Sequence, residues 1–222
     1  MPAAATQDAP IIHLGDYVDR GPDSRGVVRF LREGLARGEN WVAIKGNHDR
    51  MLYEFMADPL WRDPGMKSDL SWLNPRLGGD KTLASYGAGA AEVLEQMPKP
   101  AVWEAALPHV PDEDLTFLQE LPLMYRRGEV LYVHAGIRPG VALEDRVEND
   151  LLWILDGYHD DPRDYSFLIV HGHTALDYPV HFGNRVDLDG GAGYGRQLAA
   201  AVIEGRDVFL LTEDGRVPLR PE

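Results

Sequence analysis

Two apolar runs in this chain stop in the same way, and the way they stop restricts what it can fold into. "IIHLGDYVDRGPDS" (residues 11–24) and "WVAIKGNHDR" (41–50) each carry a short β-forming run into a glycine, then set Asp, Asn, His and Arg side by side. Apolar runs of this length bounded by glycine read as buried strands. After the first, "SRGVVRFLREGLARG" puts Val27, Val28, Leu31 and Leu35 on one helical face, with Gly38 as a stop. The second leads into a predicted helix, "HDRMLYEFMA". Strand and helix in alternation predict an α/β layer architecture.

The strand-ending pattern recurs twice. "EVLYVHAG" (129–136) and "FLIVHGHT" (167–174) are apolar runs that close on histidine and glycine. Between the two halves, residues 57–80 are rich in Pro, Gly and Trp without periodicity, which predicts an irregular excursion over the surface. Helices are expected at 80–86, at 90–97 and in "PDEDLTFLQELP", where an Asp caps and Leu115, Leu118 and Leu121 recur at helical spacing. "RVDLDGG", "QLAAAVIEG" and "DVFLLTEDGRV" predict short strands joined by glycine-bearing turns. With 222 residues, 44% of them hydrophobic, the chain suits one domain, residues 1–9 being expected to be disordered.

Four strand ends therefore carry polar groups: Asp16 with Asp19 and Arg20, Asn47 with His48 and Asp49, His134, and His173. In an open α/β sheet, ligands collect outside the carboxyl ends of strands, so these groups can share one site. Asp, Asn and His together offer oxygen and imidazole donors, a set suited to Mn, Fe or Zn. Two such ions about 3.5–4 Å apart can polarise a phosphoryl group and acidify a water. The formal charge of −14 requires that help, because an acidic protein repels phosphate unless local cations intervene. The same charge argues against nucleic acid or an anionic membrane as partner. With no cysteine, thiolate zinc clusters and cysteine nucleophiles are excluded. "MPAAATQDAP" lacks the form of a signal peptide, so a cytoplasmic location is expected. "GGAGYGR" does not fit a dinucleotide fingerprint, and no P-loop or nucleophile-elbow motif occurs. Blander readings exist: "GDYVDRG" and "GNHD" contain what turns use, and a lone His at a strand end is commonly structural. Turn chemistry alone does not supply His at three strand ends.

In their order, "GDYVDRG", "GNHD", "HAG" and "GHT", with "DLDGGAG" (187–193) beyond them, resemble the calcineurin-like metallophosphoesterases, specifically the bacterial branch of the Ser/Thr phosphoprotein phosphatases. The resemblance implies a metallophosphoesterase-type β-sandwich flanked by helices, with two divalent ions, Mn first and Fe or Zn as alternatives. By motif, Asp16 would bridge the ions and Asn47, His134 and His173 would complete the ligands of one of them. His48 would be the general acid, oriented by Asp19, and Arg20 would hold phosphate oxygens as a planar fork. Asp49 fits a buried supporting role or a simple helix N-terminal acid. The implied activity is hydrolysis of a phosphorylated protein or small phosphoester by metal-activated water. Two alternatives stay open: a dinucleoside polyphosphate hydrolase, against which Asp19 before Arg20 speaks, and an inactive module that holds metal and phosphate without turnover.

The sequence departs from the family pattern at two places. Members begin with a strand ending in GDxHG, and the fourteen residues before Gly15 contain no such motif. The expectation is a truncated chain with its first strand missing, an impaired or single-ion centre, and apolar sheet surface left open; His13 has no obvious way to substitute. The family also places an arginine two positions after the Trp of "LLW", where this chain has Leu155. Arg138 in "HAGIRPG" is the candidate to replace that phosphate contact, or else a solvated surface residue. His171 and His173 are expected to share a strand face, the resemblance selecting His173. Trp61 and Trp72 are expected to pack as a surface lobe, with substrate recognition as their second reading.

Overall fold

The computed structural model describes residues 9–153, 157–158 and 160–222. Of the residues 1–9 expected to be disordered, all but Ala9 fall outside the described residues, as does the departure at Leu155. In chain order the elements are β1 (Ile11–His13), α1 (Ser24–Ala36), β2 (Trp41–Ala43), α2 (Asn47–Ala57), α3 (Gly79–Tyr86), α4 (Ala91–Leu94), α5 (Lys99–Ala106) and α6 (Asp112–Glu120). There follow β3 (Met124–Arg127), β4 (Val130–Val133), α7 (Glu148–Trp153), β5 (Leu168–His171), β6 (Val180–His181), β7 (Arg185–Asp187), β8 (Ala201–Glu204), β9 (Asp207–Thr212) and β10 (Gly215–Pro218).

A five-stranded sheet ordered β3-β4-β5-β7-β6 forms one layer. Its central pairs, β4 with β5 and β5 with β7, are parallel, and its edge strands run antiparallel. Alternation decides what each face meets. Val130, Tyr132, Leu168, Val170 and Val186 point to a shared core with Ile12 and Val42 of the parallel β1-β2 pair, with Leu14 and Ile44 just past its strand ends, and with Ala201, Ile203 and Val208 of the β10-β9-β8 sheet. The second layer of the sandwich is thus two small sheets side by side on one face. Leu131, Val133 and Ile169 point the other way, against Leu151 of α7, Ile137 and Tyr158. A third cluster joins α1 to α6 with Val18 and Ala43, and includes Trp72 and Leu73 of the irregular segment.

The fold class therefore stands as expected, and several local readings change. Val27 is exposed while Val28 and Leu31 are buried, so the buried face of α1 is narrower than predicted. No Asp caps α6: Pro111 occupies the cap position and Asp112 opens the helix. Helix α5 and the edge strands β3 and β6 were not anticipated. The excursion after α2 has no regular element until α3; its Trp72 is buried and its Trp61 packs against the helical core. Ile11 is exposed, and among the described strands β1 pairs with β2 alone. Among the described residues, no helix is long and apolar enough to cross a membrane.

Candidate functional site

The glycines that end the two N-terminal strands explain how the site is assembled. A Cβ on Gly15, at φ +97°, would stand 2.7 Å from Gly46 N and 2.8 Å from the His134 ring, and one on Gly46 would collide with the Asp16 backbone nitrogen and carboxylate. The β1 and β2 ends thus meet backbone to backbone, a closeness only glycine permits. Asp49, in the first turn of α2, holds the junction: its carboxylate accepts from Asp16 N at 3.0 Å, Tyr17 N at 2.9 Å and Gly46 N at 2.8 Å. Burial and the neighbouring Asp16 charge push the Asp49 carboxyl up to about 7. Both sequence readings of Asp49 agree with this geometry: it is a first-turn acid that accepts from the N-cap Gly46 N and a buried support of the junction.

Around this junction four donors converge. Asn47 Oδ1 lies 2.9 Å from His134 Nε2 and 3.0 Å from His173 Nδ1, and His134 Nε2 lies 3.4 Å from Asp16 Oδ1. Ligand atoms of Asp16, His134 and His173 all fall within 4.8 Å of one another. Donors around a tetrahedral ion at about 2.0–2.2 Å would stand roughly 3.4 Å apart, so the set fits one divalent ion. It is the one such His and carboxylate group found among the described residues. His134 is fixed from behind by its Nδ1, which donates to the Leu14 carbonyl at 2.7 Å and so turns Nε2 toward the other donors. His173 is pushed down to about 3 by burial and by its neighbour His134, which leaves it neutral, the form in which an imidazole can ligate a metal. Burial would raise the Asp16 carboxyl, but the imidazoles of His134, His48 and His173 bring it below its ordinary value.

Beside the four donors sits the second constellation. His48 is buried at the start of α2, its backbone nitrogen donating to Asp16 Oδ1 at 3.0 Å and its Nδ1 paired with Asp19 Oδ2. Burial works against the imidazolium, yet Asp16 and Asp19 together hold the His48 pKa above its ordinary value. Arg20 stacks its guanidinium 4.9 Å over the Tyr194 ring and reaches the Arg76 carbonyl from Nε at 3.4 Å. Arg138 is differently engaged: both arms of its fork go to Asp150, with its side chain about half exposed.

Backbone conformation marks the same residues. Among the described non-glycine residues, positive φ occurs at Asp16 (59°), Asp19 (74°), Arg20 (57°), His173 (70°) and Ser166. Four of those five are site candidates from the sequence, and left-handed backbone persists where surrounding contacts impose it, commonly at functional sites. This also corrects the expected pairing of His171 with His173. The strand ends at His171, which turns onto Tyr158, 5.2 Å between rings, near Asp187; after Gly172 the left-handed His173 turns instead toward His134 and Trp153. His13, for its part, packs edge-on against Trp41, 5.7 Å between rings.

Three contributors carried no sequence signal strong enough to be found. Trp72 Nε1 donates to Asp19 Oδ2 at 2.8 Å, Thr82 Oγ1 donates to Asp19 Oδ1 at 2.6 Å, and the Trp153 ring meets His173 edge-on at 5.5 Å. A polar hydroxyl inside the otherwise ordinary helix α3 is the one hint Thr82 gave.

Residues 5–196 match the family model described as calcineurin-like phosphoesterase. An asymmetrical bis(5'-nucleosyl)-tetraphosphatase of Bacillus velezensis is 25% identical over 209 residues, spanning 87% of this chain and 74% of that one. A serine/threonine-protein phosphatase 1 of Salmonella typhimurium is 27% identical over 202 residues, spanning 87% of this chain and 78% of that one. Among solved structures, the cold-active protein-tyrosine phosphatase of a psychrophilic Shewanella superposes with a TM-score of 0.59 at 15% identity, covering 96% of this chain and 70% of that one. That likeness bears on the fold alone.

Proposed function

The chain belongs to the calcineurin-like phosphoesterase family, and from that premise we propose that it hydrolyses phosphate monoesters, on a phosphoserine- or phosphothreonine-bearing protein or a small phosphoester. The observation that carries this reading is the convergence of Asp16, Asn47, His134 and His173 on one point, with the His48–Asp19 pair alongside. In this reading the four donors hold a divalent ion, Mn first, with Fe or Zn as alternatives. When bound, such an ion polarises a phosphoryl oxygen and acidifies a water. The protein's own groups do the rest. With Nδ1 held by Asp19, His48 presents Nε2 to the leaving oxygen, and a pKa above the ordinary value keeps a proton there to donate. Arg20 receives two phosphate oxygens in its planar fork, a contact Lys would not reproduce. Arg138 serves as a second phosphate contact in this reading only by exchanging Asp150 for substrate.

A dinucleoside polyphosphate hydrolase is the second reading. Relatives named as tetraphosphatases support it, including one of Nitrosococcus oceani that is 29% identical over 180 residues, 79% of this chain and 48% of that one. The two readings separate in one assay of the Mn-loaded chain against a phosphoserine peptide, a nitrophenyl phosphate and a dinucleoside tetraphosphate, with metal content measured on the same preparation. Turnover of the monoesters above the tetraphosphate supports the first reading, and the reverse order supports the second. Bound metal with no turnover of any of the three substrates overturns both and leaves a metal-binding module.

A further inference from the structure

The buried Asp19 carboxylate is unusual in what surrounds it. Its side chain is fully buried, it directly precedes Arg20 in the chain, and among the described residues no Lys or Arg pairs with it. Its charge is met by hydrogen bonds instead: Thr82 Oγ1 on Oδ1 at 2.6 Å, and Trp72 Nε1 at 2.8 Å together with His48 Nδ1 on Oδ2. Its backbone nitrogen also faces Thr82 Oγ1 at 2.8 Å and Ser24 Oγ at 3.1 Å. A buried carboxylate without such donors would be costly, and each donor fixes one lone-pair direction.

We propose that Trp72 and Thr82 are positioning residues that clamp Asp19 and, through it, set the orientation of His48. Both are locked before they reach the carboxylate. The Trp72 indole lies against Phe55, 5.0 Å between rings, on the same helix α2 that carries His48. Its other side meets Gly79 in the first turn of α3, where a Cβ would stand 2.5 Å from the indole, and Gly79 N donates to the Trp72 carbonyl at 3.2 Å. Thr82 sits one turn further along α3, wholly buried. Helices α2 and α3 and the irregular segment therefore close on one carboxylate, and the tryptophan of that segment acts on the site from behind. With Asp19 held from two sides, the imidazole has one partner and one direction, its Nε2 aimed outward. The inference rests on the phosphoester reading for its kinetic consequence and on geometry alone for the clamp.

The two parts are tested separately in the full-length chain. A nitrophenolate leaves without a proton and an alkoxide does not, so faulty aim of His48 penalises alkyl esters selectively. Trp72→Phe and Thr82→Val are each expected to lower the ratio of kcat on a phosphoserine peptide to kcat on nitrophenyl phosphate by about tenfold, with KM little changed, and Thr82→Ser to restore it. An unchanged ratio, whether both rates fall or neither does, overturns the proposal, because a merely structural role has no reason to distinguish leaving groups. If the unaltered chain hydrolyses neither ester, the phosphoester reading has failed, and the clamp is decided by the low-field proton resonance of His48 Nδ1. That resonance is expected to move upfield in Trp72→Phe, or in Thr82→Val where the first variant does not fold; an unmoved resonance overturns the clamp.

Discussion

Removing the Asp63 side chain should cost the protein a large part of its stability. Asp63 lies in the irregular segment and is buried together with Arg50 of α2, their side chains 0% and 6% exposed. The guanidinium gives Nε to Asp63 Oδ2 at 2.9 Å and Nη2 to Oδ1 at 2.7 Å, with Asn149 Oδ1 at 3.1 Å as its further hydrogen-bond partner among the described residues. Asp63→Ala leaves a buried cation with that one amide, and it also orphans Gly65 N, which donates to Asp63 Oδ1 at 2.8 Å. Breaking a buried pair from one side costs about 3–5 kcal/mol, against a total of about 5–15 kcal/mol for a domain. At this chain length the midpoint of thermal unfolding should fall by roughly 6–20 °C, and urea unfolding should show a lower midpoint at unchanged slope. Two controls isolate the cause. The Arg62–Asp69 pair of the same segment is half exposed on one side and fully exposed on the other, so Asp69→Ala should change nothing measurable. Replacing Arg50 and Asp63 together by leucine should recover much of the loss, since no charge is left uncompensated. A loss under about 1 kcal/mol for Asp63→Ala would refute the reasoning.

His134→Ala and His173→Ala should each weaken Mn binding, measured by titration, by more than the roughly 10–100-fold that loss of a mere supporting partner costs. Gly46→Ala should lower the thermal midpoint and abolish metal loading; φ there is −103°, a value that suits alanine, so any loss reports collision with Asp16 rather than backbone strain. Burial pushes Asp187 up to about 8, opposed by the hydrogen bond from Asp189 N and aided to a lesser degree by the Asp189 charge. Its folded pKa lies above the unfolded value of about 3.9, so its contribution is fully present below pH ~4 and is lost as pH rises toward 8. Asp187→Asn should remove that part of the slope and gain stability at pH 8 in denaturant titrations at both pH values; an unchanged pH dependence would sink the assignment.

The strand ends were legible because each pairs an apolar run with a glycine and a polar cluster; that Gly15 and Gly46 also let two backbones touch was not part of that reading. Position by period failed where the period stopped. His171 and His173 are two apart, yet Gly172 and the left-handed turn after it send them to different layers. Trp72 and Thr82 reach Asp19 from 53 and 63 residues away, one out of an aperiodic stretch and the other from a helix whose existence was expected but whose buried face was not, so nothing local announces the contacts. Helix α5 escaped notice because "KPAVWEAA" is short and carries proline at its second position, and the edge strands β3 and β6 because "MYRR" and "VH" show no usable alternation. Arg138 looked available only because sequence does not reveal Asp150 beside it.

The two halves of the chain supply the four converging donors in equal share, and this sets the order of events during folding. Leu14 meets His134 across 120 positions, and Asn47 meets His173 across 126. Closing loops of that length costs entropy before any of these contacts can repay it, and such pairings form late. A chain released from synthesis residue by residue holds Asp16 and Asn47 long before His173 exists, and two oxygen donors grip a transition ion weakly. If the four donors hold an ion as proposed, its full affinity arrives only with the finished sandwich, and an ion held tightly would report that the last layer has docked.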